Sequence, residues 1–352
     1  MRIAIKFFNW TRRVIKPIHL VGLVMLAALW GFRHWNPPPL QTFQLKTFDF
    51  YQNLQPREPK DLHPQLQSVM PKQPVVIIDI DEMSLEKYGQ WPWPRTLIGK
   101  LVDGLREYGV AVIAFDVFFP EYDRMSPTLL AENLQGLSDT LAEQLKALPT
   151  TESAFADSIR KTRVVLGQGT LQEAKAMDGD LPVKAKIALM GNRDKILARI
   201  PRFPGVLRNV PELESAAMGL GMVALQPEID GVIRRVNMAL RVDEQVYPTM
   251  TLEIIRLALG QENLLFRLDQ KAQTQSIRIR GLKQIGTPEI PTDERFRTWL
   301  HFRPHDFENM YISAADVLDR NVDAERLRNS LVLVGTSALG LKDIRHTPLN
   351  AA

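Results

Sequence analysis

The chain has no cysteine among its 352 residues. It therefore holds no disulfide framework, thiolate metal site, iron–sulfur ligation or cysteine nucleophile, and its redox compartment is left open on that count. Enzyme signatures are also missing: there is no GxSxG elbow, no HExxH and no GxGxxG fingerprint. Histidine is sparse, and the close pair His301 and His305 has Pro304 between its members, against a shared helical face for a metal. Acid is absent from residues 1–33, where Arg2, Lys6, Arg12, Arg13, Lys16 and Arg33 supply six of the 44 basic residues. The remainder is slightly acidic, 38 basic against 40 acidic, so it lacks the electrostatic footprint of a nucleic-acid binder. What remains is 45% apolar, enough for a large core and against wholesale disorder.

The longest apolar run, Val14 to Phe32, reads VIKPIHLVGLVMLAALWGF and carries no charge after Lys16. At ~1.5 Å per residue its nineteen residues approach the ~30 Å hydrocarbon thickness, which predicts one transmembrane helix. A cleaved signal peptide competes with this reading. Its cleavage site requires small residues, whereas this run ends in Leu29-Trp30-Gly31-Phe32-Arg33-His34-Trp35. Five basic residues, Lys16 included, precede the uncharged part of the span, so the positive-inside bias keeps the N-terminus cytoplasmic and exports everything after about residue 36. Residues 1–36 thus read as basic tail and anchor. In 37–74, Leu40, Phe43, Thr47, Phe50 and Leu54 alternate at three- and four-residue spacing, predicting a short stalk helix. Its stripe fits either pairing with a second chain, as a homodimer through stalk and span, or packing on the chain's own body. Five prolines in 55–74 mark a linker.

The body, 75–349, alternates buried strands with helices. VVIIDI after Pro74 is a β-branched run of strand type. A helix follows from Pro94-Arg95-Thr96, with Leu97, Leu101, Leu105 and Tyr108 on one face and Gly109 at its end. VAVIAFDVFF, 110–119, completes a βαβ unit and hence a parallel pair. Helices are expected at 129–145 and 153–161 and a strand at 164–167, while 170–215 shows no period and reads as an insertion. Asp230-Gly231 predicts a hairpin between strands at 217–225 and 236–243. A helix at 249–259, short strands at 276–280 and 298–302, a helix capped by Ser313 and a last buried strand at 331–335 follow. The fold class is α/β, a mixed, largely parallel central sheet flanked by helices, preceded by a transmembrane helix and a short stalk helix.

In order, DIDEMSLEKYGQWPWPR, AFDVFF, GLGMVALQPEIDGVIRRV, YISAADVL and LVLVGTSALGLKDIRHTPL resemble the type-two CHASE domain, the cyclases/histidine kinases associated sensory extracellular domain, over roughly residues 40–349. The resemblance implies a bacterial receptor in the inner membrane, with an exported sensor that relays a small-molecule or ion signal to a cytoplasmic output domain. It implies no catalysis by the sensor itself. Residues 350–352, Asn350-Ala351-Ala352, follow Thr347-Pro348-Leu349 where that family usually continues, so the end reads as a truncation or as an orphan sensor.

Ligands of open α/β sheets bind beyond the carboxyl ends of strands. Asp79, Asp81 and Asp116 fall at two such ends and are candidates for a cation, an amine or a polar ligand. The structural alternative has Asp81 capping the helix at Ser84 and Asp79 or Asp116 pairing with Arg95. Trp93, like Trp91, fits either stacking on a ligand or wedging its loop onto the core. Thr336, in Gly335-Thr336-Ser337, offers anion-holding groups, and Asp343 lies near enough in sequence to join the same pocket. Asp230 reads as a turn residue, and Arg234 and Arg235 as solvated or paired. Metal and cofactor identity stay unknown. Beside the sensor reading stand a carboxylate- or metal-dependent exported hydrolase and a static interaction module.

Overall fold

The computed structural model describes residues 17–57, 74–171, 173, 181–268, 275–279, 289–304, 306–338 and 346–349. The chain divides into two compact units, Met1–Pro56 and Arg57–Ala352. In the first, α1 (Pro17–Trp35) and α2 (Pro38–Leu54) are separated by a break that the sequence explains. Pro37 and Pro38 lack the N–H a continuing helix needs, and the residue before a proline is driven out of the α region; Asn36 takes φ +46°. α2 starts with proline in its first turn, where a missing N–H leaves no intrahelical bond unmade. α1 exposes Leu20, Leu23, Val24, Leu26, Leu29 and Trp30 around its circumference. Among the described residues no helix is long and apolar enough to cross a membrane. The expected span also takes in residues 14–16, which lie outside the described residues.

The second unit opens with β1 (Val75–Ile80), α3 (Glu82–Tyr88), α4 (Arg95–Glu107) and β2 (Val112–Phe115). Next come α5 (Pro127–Asn133), α6 (Asp139–Lys146), α7 (Thr151–Arg160), β3 (Val164–Leu171), β4 (Lys186–Met190), α8 (Arg193–Arg199), β5 (Gly205–Leu207), α9 (Pro211–Ala216) and β6 (Gly219–Val223). β7 (Arg235–Asn237), β8 (Ala239–Val242), β9 (Gln245–Pro248), α10 (Met250–Ala258), β10 (Asn263–Leu268), β11 (Gln275–Ile279), β12 (Glu289–Thr292) and β13 (Arg297–Trp299) follow. The described elements close with α11 (Phe307–Met310), β14 (Tyr311–Ser313), α12 (Ala314–Leu318), α13 (Ala324–Leu327) and β15 (Leu331–Thr336).

The main sheet runs β14-β1-β15-β2-β3-β5, with β6 also on β3. All its pairs are parallel except β3 with β5. β1, β2 and β15 are interior, as their continuous apolar runs require. In β2 the side chains alternate between two cores: Ile113 and Phe115 pack with Ile98, Leu101 and Phe155 from α4 and α7, and Val112 and Ala114 pack with Val165 of β3 and Leu257 of α10. A second core forms around the sheet β12-β11-β10-β4, from Leu264, Phe266, Ile277 and Phe296 with Ile196 of α8.

Four expectations are corrected. β1 and β2 are parallel but not neighbours, because β15, the last described strand in the sequence, inserts between them. The helix expected at 129–145 is two, broken at Gly136 with φ +84° and restarted by the Ser138 cap. The stretch 170–215 holds β4, α8, β5 and α9 rather than a structureless insertion. Asp230-Gly231 does turn the chain, with Gly231 at φ +79°, yet it joins no hairpin: β6 pairs β3 and β7 pairs β13. The hairpin lies instead between β8 and β9, where Asp243 takes φ +50° and Val242 faces Gln245.

Candidate functional site

The parallel register sets the strand ends level. Asp79 of β1 lies opposite Ser313 of β14 on one side and Gly335 of β15 on the other. Its carboxylate, nearly buried, accepts from the Ser337 N–H at 2.8 Å and from the Ser337 hydroxyl at 2.5 Å, pinning the first residue beyond β15. Burial pushes the Tyr311 phenol up, and the Asp79 charge adds to the effect. Asp81 caps α3: its Oδ1 accepts from the Ser84 N–H and from the Ser313 hydroxyl, each at 2.9 Å. The Ser84 hydroxyl lies 3.0 Å from that of Ser313 and accepts from the Ala315 N–H at 3.0 Å, so the same cluster caps α12. Thr336 donates its hydroxyl to the Ile80 carbonyl at 3.0 Å.

Trp93 is buried, donates Nε1–H to the Gly89 carbonyl at 2.7 Å and meets Tyr88 and Trp91 edge-on or tilted. This is the wedging alternative rather than a stacking platform. Arg95 does not pair with Asp79 or Asp116. Its N–H donates to Asp123 at 2.7 Å, its guanidinium lies 4.6 Å from the Phe119 ring centre, and Nη2 reaches the Glu121 carbonyl at 3.3 Å. Burial pushes its pKa down, opposed by the charges of Asp123 and Glu152. Glu152, fully buried, accepts from the Asp123 N–H at 2.5 Å. The two ends of the segment carrying α5 and α6 are thereby held together, and neither helix buries a residue.

Asp116 is exposed, its N–H donating to the Val334 carbonyl. The carboxylates of Asp79 and Asp81 therefore serve separate partners. Among the described residues no group of three or more His, Asp or Glu is placed to hold a metal. Asp343 and His305 lie outside the described residues. Arg234 is fully buried and grips Asp230 through two bonds of 2.8 Å, so it is paired and not solvated. Arg235 bridges Glu228 and Asp293 and lies 4.7 Å from the Trp299 ring centre.

The sequence reading placed Ser84 on the Asp81 cap and Ser337 among anion-holding groups, but missed Ser313 as a partner of Asp81, Ser337 as the partner of Asp79, and Asp123 and Glu152. Of the missed contacts, Asp123 carried a signal, as an acid shortly after a strand end, and Ser313 one, as a helix cap. It also missed a buried network beside β3, in which Glu214 accepts from Gln168 at 2.8 Å and from Arg208 at 2.6 Å while Asn209 ties Phe119 to Gly167.

The second unit is a mixed α/β body whose parallel strand ends are tied by short polar side chains. A family model, the CHASE2 domain, matches residues 21–352. The chain belongs to the CHASE2 family of sensory extracellular domains. No curated protein and no solved structure matched it.

Proposed function

We propose that this chain is the exported signal-input region of a membrane-bound bacterial receptor, relaying a small-molecule or ion signal to an output domain. The observation that carries the reading is the extent of the family match, which begins within α1 and runs through α2 and the whole α/β body. The anchor is α1 with the residues before it, its basic flank cytoplasmic and the chain beyond about residue 36 periplasmic. The apolar surface that α1 exposes on every side supports this, since lipid tolerates what water does not. The stalk α2 pairs with that of a second copy. Phe43, Phe50 and Leu54 are 69%, 60% and 64% exposed in the single chain, and a lone span has no partner against which to shift. At the strand ends, Asp79, Asp81, Asp116 and Thr336 are the residues at which a ligand would distinguish two conformations, by competing for the contacts they make within the fold.

Reporter fusions after Lys60 and Arg320 test the topology, and both reporting the cytoplasm overturns it. Single cysteines at Phe43 and Phe50 crosslink between subunits in membranes if the stalk pairs; failure of both, with span controls crosslinking, removes the dimer. Function is tested by incubating the full chain with periplasmic metabolites and ions while following thermal shift and turnover together. Stabilisation without turnover is the expected result. Turnover abolished by Asp81→Asn identifies a hydrolase instead, and no response at all a static module.

A further inference from the structure

At the opposite end of the main sheet, the starts of β2, β3 and β6 meet in an open cleft of about 280 Å³. Val110 and Met218 form its apolar side, and Arg160, Lys161, Thr162 and Arg163 its polar side. The volume is close to the lower bound of roughly 300 Å³ for small-molecule sites. Its walls are set by main-chain bonds: the Ile113 N–H donates to the Arg163 carbonyl at 2.9 Å, and the Met218 N–H to the Val164 carbonyl at 3.1 Å. The Arg256 guanidinium reaches the Met218 carbonyl from beneath, at 3.5 Å. The cleft is therefore formed before any ligand arrives.

Its charge is unbalanced. Arg160 is spent on Asp157 at 2.6 Å and sits in the last turn of α7, where the helix dipole favours a cation. Lys161 and Arg163 have no ion pair or side-chain hydrogen bond among the described residues. One cation meets the needs of a helix end, and the two further ones, Lys161 and Arg163, which line the cleft with Thr162, are exposed and their side chains serve no polar contact among the described residues. We propose that this cleft binds a small multivalent oxyanion, a phosphate ester or a polycarboxylate, with its charged groups on Lys161 and Arg163 and its carbon skeleton against Val110 and Met218. The site stands apart from the carboxyl-end face and does not depend on the sensor reading.

Isothermal titration of the full chain in neutral detergent, with inorganic phosphate and with citrate as probes, tests it. The expected result is saturable binding of at least one probe that weakens as sodium chloride is raised. Which probe binds assigns the phosphate or the carboxylate class. Arg163→Glu should weaken binding at least tenfold. Arg124→Glu, the same charge change at another exposed position, should alter it less than twofold. Absence of saturable heat with both probes, or equal losses in the two variants, overturns the proposal. Neither Lys161 nor Arg163 holds the fold together, so Arg163→Glu should melt with the wild type when no anion is present.

Discussion

Replacing Arg256 with methionine isolates the physics of a charge pair in the core of this fold. Glu253 is fully buried and Arg256 nearly so, on one face of α10 against β6. The guanidinium donates to both carboxylate oxygens, at 2.7 and 2.6 Å, and to the Gln261 carbonyl at 2.7 Å. Removing one partner of such a pair strands the other, at a cost of about 3–5 kcal/mol. For a body of this size that is a fall in melting temperature on the order of 10 °C. The loss depends on pH, with a sign fixed by Glu253. Burial raises its pKa above the ordinary 4.5, while the Arg256 hydrogen bonds and charge pull it down. Without Arg256 the carboxyl rises further. The folded state then holds a proton that the unfolded state has lost, so the contribution to stability is complete below about 4.5 and declines as pH climbs through the folded value. Arg256→Met should therefore be most destabilised near pH 8 and partly recovered near pH 5.5. Adding Glu253→Met removes the stranded charge and should restore more than half of the loss, since apolar replacements of buried pairs are often neutral. Thermal melts of wild type, single and double variants at the two pH values decide the matter. A double variant as unstable as Arg256→Met, or a deficit equal at both pH values, refutes the reasoning.

Gly221→Ala should destabilise by at least the ~1–3 kcal/mol of an overpacked core, because an added Cβ would lie 2.3 Å from the Met250 Cα, where only movement of α10 makes room. Gly335→Ala, with nothing within 4 Å, should melt close to wild type and serves as its control. Asp81→Ala removes the cap of α3 and the Ser313 bond, costing ~1–2 kcal/mol by chemical denaturation, and Asp81→Asn should retain most of that. Asp319 accepts from Lys87 and Tyr88, which hold its carboxyl below the ordinary 3.8. Its stabilising contribution is present above that value and lost as pH falls through the folded one, so Asp319→Asn should flatten the acid limb of the melting profile. An unchanged limb between pH 5 and 2.5 would refute this.

How far the fold was legible depended on whether the deciding interaction was local. The strands β1, β2 and β15 showed themselves because a strand covered on both faces needs apolar residues at every position. α4 was bounded by Pro94 and Gly109, and α12 by Ser313, whose side chain does accept from the Ala315 N–H. The insertion of β15 between β1 and β2 left no trace, since strand order is set by long-range packing rather than by any residue in either strand. β4 was invisible for the same reason: alternating and half-exposed, it becomes a strand by pairing with β10, far along the chain. The Asp230-Gly231 signal correctly gave a turn and wrongly gave a hairpin, because turn chemistry fixes local φ while partners are chosen elsewhere. Gly136 was a readable break that the leucine spacing around it overrode.

The candidate site divides along the same line. Whether Asp81 caps a helix can be read from Asp-x-x-Ser before an apolar run, a contact within one turn. Whether Asp79 faces a ligand or a hydroxyl cannot, because its partner Ser337 is more than 250 residues away and reaches it only through the β1–β15 register. Arg95 makes the point most sharply. Two carboxylates at the ends of β1 and β2 were its natural partners by sequence, yet the loop after β2 brings Asp123 to its N–H and Phe119 under its guanidinium. A side chain's chemistry is fixed by its type, but its occupation is fixed by the register of strands distant in sequence. The acidic residues at the carboxyl ends are thus largely engaged within the fold. The amino-end cations Lys161 and Arg163, which no motif marked, make no ion pair among the described residues and line one cleft.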